Sequence, residues 1–116
     1  MSTEILEGTG WHAECVGRID DDGTVYAGTG WNAECLGKVE DDEVYTGTGW
    51  NTECIGKVDK EGDIYRGAGW NAECIGRVER DGDVYKGTGW NAECVGRVEG
   101  PDKRAAGAAL LLLIKW

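Results

Sequence analysis

The residues of this chain that could support chemistry recur in short groups at a nearly fixed spacing. Each group runs Trp-Asn-Ala-Glu-Cys, with histidine or threonine replacing one member in two copies. The tryptophans stand 20, 19, 20 and 20 residues apart, at Trp11, Trp31, Trp50, Trp70 and Trp90. The cysteines keep the same spacing, at Cys15, Cys35, Cys54, Cys74 and Cys94. Groups of this composition could bind a polar ligand, hold a metal ion or provide nucleophiles.

A small polar ligand, such as a sugar, is the best chemical match to these groups. Tryptophan offers a flat apolar plate, and asparagine and glutamate offer hydrogen bonds. The candidate ligand-binding residues are Trp11, Trp31, Trp50, Trp70, Trp90, Asn32, Asn51, Asn71, Asn91, Glu14, Glu34, Glu53, Glu73 and Glu93. Five sites on one rim would reinforce one another through effective concentration. The competing interpretation is structural, since the tryptophans share a strand face with alanine, cysteine and glycine, which favours packing between repeats.

Metal, redox and catalytic sites fit the sequence less well. Five equivalent thiols around a ring would lie too far apart to share one zinc ion, and cysteine is commonly a small buried hydrophobe. The acidic turns, such as Asp20-Asp21-Asp22-Gly23, lack the spaced ligand pattern of a calcium loop. The one histidine, His12, stands where the other copies have asparagine. We therefore expect no catalytic residue, no metal ion, no cofactor and no enzymatic activity.

The composition restricts the classes of molecule that the protein is expected to bind. The chain has 116 residues, 22 acidic and 12 basic side chains, and a formal net charge of −10. This balance argues against nucleic acid or an anionic membrane surface as the main partner. Five cysteines without a Cys-x-x-Cys pair, and no visible signal peptide, indicate a cytoplasmic protein with reduced thiols. The expected partner is therefore an unknown protein or a small polar ligand, in an assembly of unknown size.

The elements that must position these groups are β-hairpins. From each tryptophan the sequence alternates, which predicts a long strand with one apolar face. In the first copy that face carries Trp11, Ala13, Cys15, Gly17 and Ile19, and the opposite, partly solvated face carries His12, Glu14, Val16, Arg18 and Asp20. A polar turn and a short strand such as Val25-Tyr26 follow. The second turn, Glu40-Asp41-Asp42, lacks the usual glycine and must have another geometry.

The chain ends decide how the hairpins are arranged. Residues 4–7 read like a short strand without its own long partner, and the last long strand, residues 90–98, lacks a short one. Pairing them would close a ring and remove the exposed sheet edges, whereas an open solenoid would leave both ends free. Counting strands does not distinguish the two arrangements.

The C-terminal run favours the ring. Residues 105–114 are apolar on every side, and a helix of this kind must be enclosed. The run is too short to span a bilayer, which takes about 20 apolar residues. Pro101 and Asp102 suit the first turn of a helix over residues 101–116. A helix of roughly 14 residues in this region would be about 21 Å long, close to the length of a long strand.

The repeats resemble those of a known fold family. Gly-Arg-Val, a glycine-containing turn, Val-Tyr-x-Gly and a final alanine-leucine run are similar to the small prokaryotic beta-flower proteins. In that family, hairpin petals surround a central helix, and the resemblance covers Ile5 to Trp116. It implies a fold, and neither an activity nor functional residues.

We expect a single, mainly β domain over residues 1–116. Five hairpin repeats of about 20 residues would occupy residues 4–98 and close like a flower or pinwheel around a C-terminal α-helix at 101–116. The expected function is a non-enzymatic symmetric scaffold or interaction module. The alternative is a multivalent, lectin-like carbohydrate binder that uses the repeated Trp-Asn-Glu segments.

Overall fold

The computed structural model describes residues 3–8, 13–28, 33–47, 52–67, 72–87 and 92–114, which form ten antiparallel strands followed by one helix. The strands are β1 (Thr3–Glu7), β2 (Glu14–Ile19), β3 (Thr24–Ala27), β4 (Glu34–Glu40), β5 (Glu43–Thr46), β6 (Glu53–Val58), β7 (Asp63–Arg66), β8 (Glu73–Val78), β9 (Asp83–Lys86) and β10 (Glu93–Glu99). The α-helix α1 spans Lys103–Ala109 and continues as a π-helical turn, Leu110–Ile114. Long and short strands therefore alternate, as the hairpin pattern predicts.

The strands form a closed barrel in which every strand pairs with its neighbours in sequence. The barrel closes at β1, where Ile5 lies opposite Gly17 of β2 on one side and Val98 of β10 on the other. The N-terminal strand thus supplies the partner that the last long strand lacks, and the open solenoid is excluded. The predicted ring of hairpins around a helix is confirmed as a closed antiparallel barrel.

Most of the hairpin turns depend on a glycine with positive φ. In the first turn the Gly23 amide donates to the Asp20 carbonyl oxygen, at 2.9 Å, and Gly23 has a φ of 92°. A β-turn followed by such a glycine is a common three-residue hairpin loop. The second turn differs, as predicted, because Asp41 and Asp42 both have positive φ, 53° and 67°. Two such residues form a type I′ turn, which needs one residue fewer.

A β-bulge interrupts each long strand where it pairs with the preceding short strand. Between β7 and β8, Ile64 lies opposite Gly76 and Tyr65 opposite Cys74, so Ile75 is the extra residue. The corresponding extra residues are Val16, Leu36, Ile55 and Val95. Beyond the bulge the side chains exchange faces, because a strand alternates with a period of two.

Because of the bulge, some side chains of the long strands lie on the opposite face from the one predicted. Uninterrupted alternation placed the cysteines on the inner face and the following aliphatic residues outside. The aliphatic residues that pack against the core are Val16, Ile55, Ile75 and Val95. The cysteines instead lie opposite tyrosines, and directly paired residues project from the same side of a sheet. The prediction of inward thiols is therefore wrong, whereas the glycine and the final aliphatic residue of each long strand face inwards as predicted.

The interior near the hairpin turns combines large strand residues with small helix residues. The strands provide the cross-strand pairs Ile5–Val98, Ile19–Val25, Val39–Val44, Val58–Ile64 and Val78–Val84, all buried. The helix meets them with Ala105, Ala106, Ala108 and Ala109, which are also buried. Gly107 is smaller still. A larger residue does not fit at this position, since a β-carbon there would come within 2.5 Å of Val78 Cβ. We call this layer the valine level.

Farther along the helix the sizes are reversed, and we call this layer the glycine level. A methyl group on Gly76 would come within 2.7 Å of Leu111 Cδ1, and one on Gly56 equally close to Leu112 Cδ1. Leu110 likewise lies beside Gly96 of β10, and Ile114 beside Gly17 of β2. Successive helix residues thus reach successive long strands around the barrel. A π-helix suits this arrangement because its wider turn, with hydrogen bonds from residue i to i+5, sets consecutive side chains closer together around the axis than an α-helix does.

The helix begins later than predicted. Pro101 and Asp102 precede α1, and the Asp102 side chain makes no capping hydrogen bond. The Asp102 amide instead donates to Oγ1 of the buried Thr3, at 2.9 Å, which attaches the start of the helix to β1. None of the helices in the described ranges has the length and apolar character needed to cross a bilayer.

Candidate functional site

The predicted ligand-binding residues divide between described and undescribed parts of the chain. The candidate tryptophans and asparagines lie outside the described residues, at Trp11, Trp31, Trp50, Trp70, Trp90, Asn32, Asn51, Asn71 and Asn91. The glutamates Glu14, Glu34, Glu53, Glu73 and Glu93 are all exposed and begin the long strands. Because the long strands run in one direction, these carboxylates occupy one rim of the barrel, opposite the hairpin turns.

The surroundings of this glutamate rim vary around the barrel. Glu73 lies opposite Arg66 and Glu93 opposite Lys86, so two carboxylates have a cation as cross-strand partner. Glu14 instead lies opposite Glu7. The remaining pairs are Glu34 with Ala27 and Glu53 with Thr46. The repeated carboxylates therefore share a position but not an electrostatic environment.

The outer wall of the barrel carries short ladders of cation, tyrosine and carboxylate. The Arg77 guanidinium lies over the Tyr85 ring, 4.7 Å from its centre, and its Nε donates to Glu79 at 3.2 Å. Arg18 makes the same two contacts, with Tyr26 at 4.6 Å and with Asp20. Such exposed contacts contribute about 0.5 to 1 kcal/mol each, so they modulate stability and do not determine the fold.

Partial desolvation and neighbouring carboxylates raise the pKa of three wall tyrosines. For Tyr45 the main cause is the hydrogen bond that its hydroxyl donates to Glu43, at 2.9 Å. For Tyr85 the main cause of the raised pKa is the negative charge of Glu79. For Tyr65 partial desolvation raises the pKa most, and the charge of Asp59 adds to it. A raised pKa keeps these phenols protonated, so they act as hydrogen-bond donors and not as bases.

The cysteines belong to this outer wall. All five are free and half-buried. Each thiol makes a weak local hydrogen bond to the carbonyl of the glycine two residues later, at 3.5 Å from Cys15 and 3.9 Å from Cys35. The neighbouring wall residue is a tyrosine in four copies and Leu6 opposite Cys15. Among the described residues, no thiol belongs to a group of three or more potential metal ligands.

One acidic cluster has the spacing of a cation site. Oxygen atoms of Asp59, Glu61 and Asp63 can all lie within 4.8 Å of one another. Asp59 Oδ1 already accepts hydrogen bonds from the Glu61 and Asp63 amides, at 3.0 and 2.9 Å. These bonds show that the Asp59 side chain stabilises the backbone of its own turn, which agrees with the interpretation of the acidic segments as solvated turns.

A cleft at the turn end of the barrel was not predicted from the sequence. It has a volume of about 220 Å³ and lies between the third and fourth turns and the start of the helix. Its charged lining residues are Lys60, Glu61, Glu79, Arg80, Lys103 and Arg104. The signal available in the sequence is the turn tip, where Asp21 and Asp41 of the first two turns are replaced by Lys60 and Arg80. A consensus of the repeats does not show this change, because only the third and fourth turns carry a cation at the tip.

No family model matches the chain, and neither a curated protein nor a solved structure does.

Proposed function

We propose that this protein is a non-enzymatic scaffold or interaction module that displays repeated surface groups on a rigid barrel. The observation that carries the proposal is the filled interior: residues 105–112 of the helix are buried inside the strands. Barrels that carry small ligands keep that space open. Partners therefore bind at the rims or the outer wall.

The proposal includes five equivalent repeats and membership of the beta-flower type. Support comes from the registers, since the long strand of each hairpin pairs with the preceding short strand through the same bulge. Further support comes from the consecutive side chains of the π-helical turn, which reach different long strands. An array with this organisation would present five copies of one surface to a multivalent partner in the cytoplasm, where free thiols persist.

A second candidate is a multivalent carbohydrate binder. It is favoured by the exposure of Glu14, Glu34, Glu53, Glu73 and Glu93 on one rim. In the sequence each of these glutamates stands three residues after a tryptophan, and all but Glu14 stand two residues after an asparagine. Carboxylates beside aromatic plates are typical of sugar sites. Under this proposal the tryptophans face solvent, whereas under the scaffold proposal they pack between neighbouring hairpins.

Acrylamide quenching of tryptophan fluorescence distinguishes the two candidates. The scaffold proposal expects most indoles to be protected in the native protein and exposed after unfolding. The binder proposal expects most indoles to be quenched in the native state and protected again by a bound sugar. Chitotriose and maltotriose serve as probes, titrated to millimolar concentration.

Two single variants sharpen this test. If Trp70 packs between hairpins, Trp70→Ala should lower the free energy of unfolding by about 3 to 5 kcal/mol. If it binds sugar, the variant should keep its stability and lose affinity. Glu34→Gln is the matched rim variant, because Glu34 is exposed and lies opposite Ala27. Unchanged sugar binding in Glu34→Gln, or no binding by the native protein, would argue against the binder.

A further inference from the structure

The cleft at the turn end breaks the repetition of the molecule. Its walls are the third turn, with Lys60 and Glu61, and the fourth turn, with Glu79 and Arg80. Its base is the start of the helix, with Lys103 and Arg104. The first two turns carry aspartates at the corresponding tips and therefore offer no equivalent group of cations.

The charge of the cleft is opposite to that of the protein. Four of the 12 basic residues line it, with two carboxylates, while the chain as a whole has a net charge of −10. One of those carboxylates, Glu79, is already paired with Arg77 at 3.2 Å. A concave surface that gathers positive charge raises the local concentration of anions.

Two of the four cations are fixed by hydrogen bonds within the protein, and the other two are exposed. Arg104 Nη1 donates to Asp42 Oδ2 at 3.0 Å and to the Asp59 carbonyl at 3.1 Å, which fixes the guanidinium and leaves its other N–H groups. Lys103 Nζ donates to the Gly100 carbonyl at 2.9 Å and retains two further donors. Lys60 and Arg80 are exposed and have no side-chain partner among the described residues.

We propose that this cleft binds a small phosphorylated metabolite through its phosphate group. Fixed donors from Lys103 and Arg104 form the base, and Lys60 and Arg80 close over the anion from the two turns. Arginine and lysine form charge-assisted hydrogen bonds to phosphate, and arginine matches its geometry with paired donors. The site lies at the opposite end of the barrel from the glutamate rim and does not depend on the function proposed there.

The size of the cleft favours a phosphate monoester over the bare ion. A volume of about 220 Å³ is many times the roughly 10 to 15 Å³ of free space that a single water molecule requires. Inorganic phosphate fills only part of this space, which leaves room for a short organic group. Glycerol 3-phosphate should therefore bind more tightly than phosphate, and phosphate more tightly than the monovalent anion chloride.

Calorimetric titration of the whole chain at constant low ionic strength tests the site. The probes are glycerol 3-phosphate, inorganic phosphate and glycerol, of which the last should not bind. Lys60→Gln combined with Arg80→Gln should weaken binding of glycerol 3-phosphate by about tenfold or more. The matched control combines Lys38→Gln with Lys57→Gln, which removes the same charge from the outer wall and should leave the affinity within about twofold.

Amide chemical shifts of the native protein provide an independent measurement if the double variant is unstable. Saturable shifts on adding glycerol 3-phosphate should centre on Gly62 and Arg80, which line the cleft from the two turns. The proposal is overturned if no saturable binding occurs, if the control loses as much affinity as the cleft variant, or if the shifts lie outside the cleft. Equal or tighter binding of inorganic phosphate would overturn the assignment to a monoester.

Discussion

The inner and outer surfaces of the barrel wall are built from the same repeated sequence but tolerate change very differently. Inside, large and small residues face each other in pairs, with Val78 against Gly107 and Leu111 against Gly76. Outside, ladders such as Arg77 with Tyr85 remain partly exposed. Close-packed interiors respond to single methyl groups, whereas exposed ion pairs contribute little. The inner surface therefore determines whether the barrel forms, and the outer surface is available for function.

Removing the helix, which fills the inner surface, should cause the largest loss of stability. Truncation before Ala105 removes eight buried residues and leaves an apolar hole within ten strands. Burial of Leu110, Leu111 and Leu112 alone is worth roughly 5 to 9 kcal/mol, as much as the entire stability of many domains. We expect no folded protein by circular dichroism and no cooperative thermal transition. A soluble truncated chain that unfolds cooperatively would contradict the enclosed helix.

Gly76→Ala should be among the most damaging single substitutions of the wall. Its β-carbon would collide with the Tyr85 carbonyl oxygen and lie 2.7 Å from Leu111 Cδ1. The carbonyl belongs to the strand backbone and cannot turn aside as a side chain can. We expect a loss of about 3 kcal/mol or more in chemical denaturation. Leu111→Ala should not restore the stability, because the collision with the backbone remains.

Gly28→Ala is the matched control for this substitution. Gly28 has a φ of 90°, but among the described residues the nearest atom to an added β-carbon is the Ala33 Cα at 3.7 Å. It therefore tests backbone strain without crowding, and should cost about 1 to 2 kcal/mol. Because Gly76 does not have a positive φ, a loss in Gly76→Ala no larger than that in Gly28→Ala would contradict crowding as the reason for glycine at position 76.

The pair Val78 and Gly107 should show coupling within the valine level. Gly107→Ala adds a methyl group where Val78 lies, and should cost about 1 to 3 kcal/mol despite the better helix propensity of alanine. Val78→Ala removes volume at the same place and should also destabilise. In the double variant the collisions with Val78 Cγ1 and Cγ2, both at 2.9 Å, disappear, while the collision with the β-carbon that alanine keeps, at 2.5 Å, remains. A thermodynamic cycle should therefore give a total loss about 1 kcal/mol or more below the sum, and additivity would contradict direct packing.

The hairpins, the closure by residues 4–7 and the apolar helix follow from the sequence because each depends on local pattern and on matching chain ends. The faces of the cysteines do not follow, since a bulge at Ile75 and its equivalents leaves no mark in a pattern of alternating residues. The single aliphatic residue among polar neighbours is the only hint. Burying this aliphatic side chain in the core is favourable, and the bulge makes that burial possible where regular alternation would leave the side chain outside.

The start of the helix and the cationic cleft illustrate a second limit. Pro101 and Asp102 are suitable for a first helical turn, but the hydrogen bond from the Asp102 amide to Thr3 belongs to residues 99 positions apart. The cleft likewise joins two turns and the helix. Such placements depend on the closed barrel, and local sequence contains no information on which turns become neighbours of the helix.

The smallest expected effects lie on the outer wall, where substitutions should change ionisation without unfolding the barrel. Glu43→Gln removes the negative charge that accepts the Tyr45 hydroxyl hydrogen bond, so the raised pKa of Tyr45 should fall. Glu79→Gln should lower the pKa of Tyr85 in the same way, because the charge of Glu79 is its main cause. Each variant serves as the control for the other.

The sign of the pH dependence follows from these raised pKa values. The protonated phenols are favoured in the folded state, so their contribution is complete below about pH 10, the pKa of an unfolded tyrosine, and is lost as the pH rises through the folded value. Carbon chemical shifts of the tyrosine rings, followed from pH 8 to 12, measure each residue separately. Glu43→Gln should move only the titration of Tyr45 to lower pH and leave the midpoint of thermal unfolding at neutral pH nearly unchanged. A large loss of stability in this variant would show that the outer wall contributes to the fold as strongly as the inner one, and would remove the contrast between them.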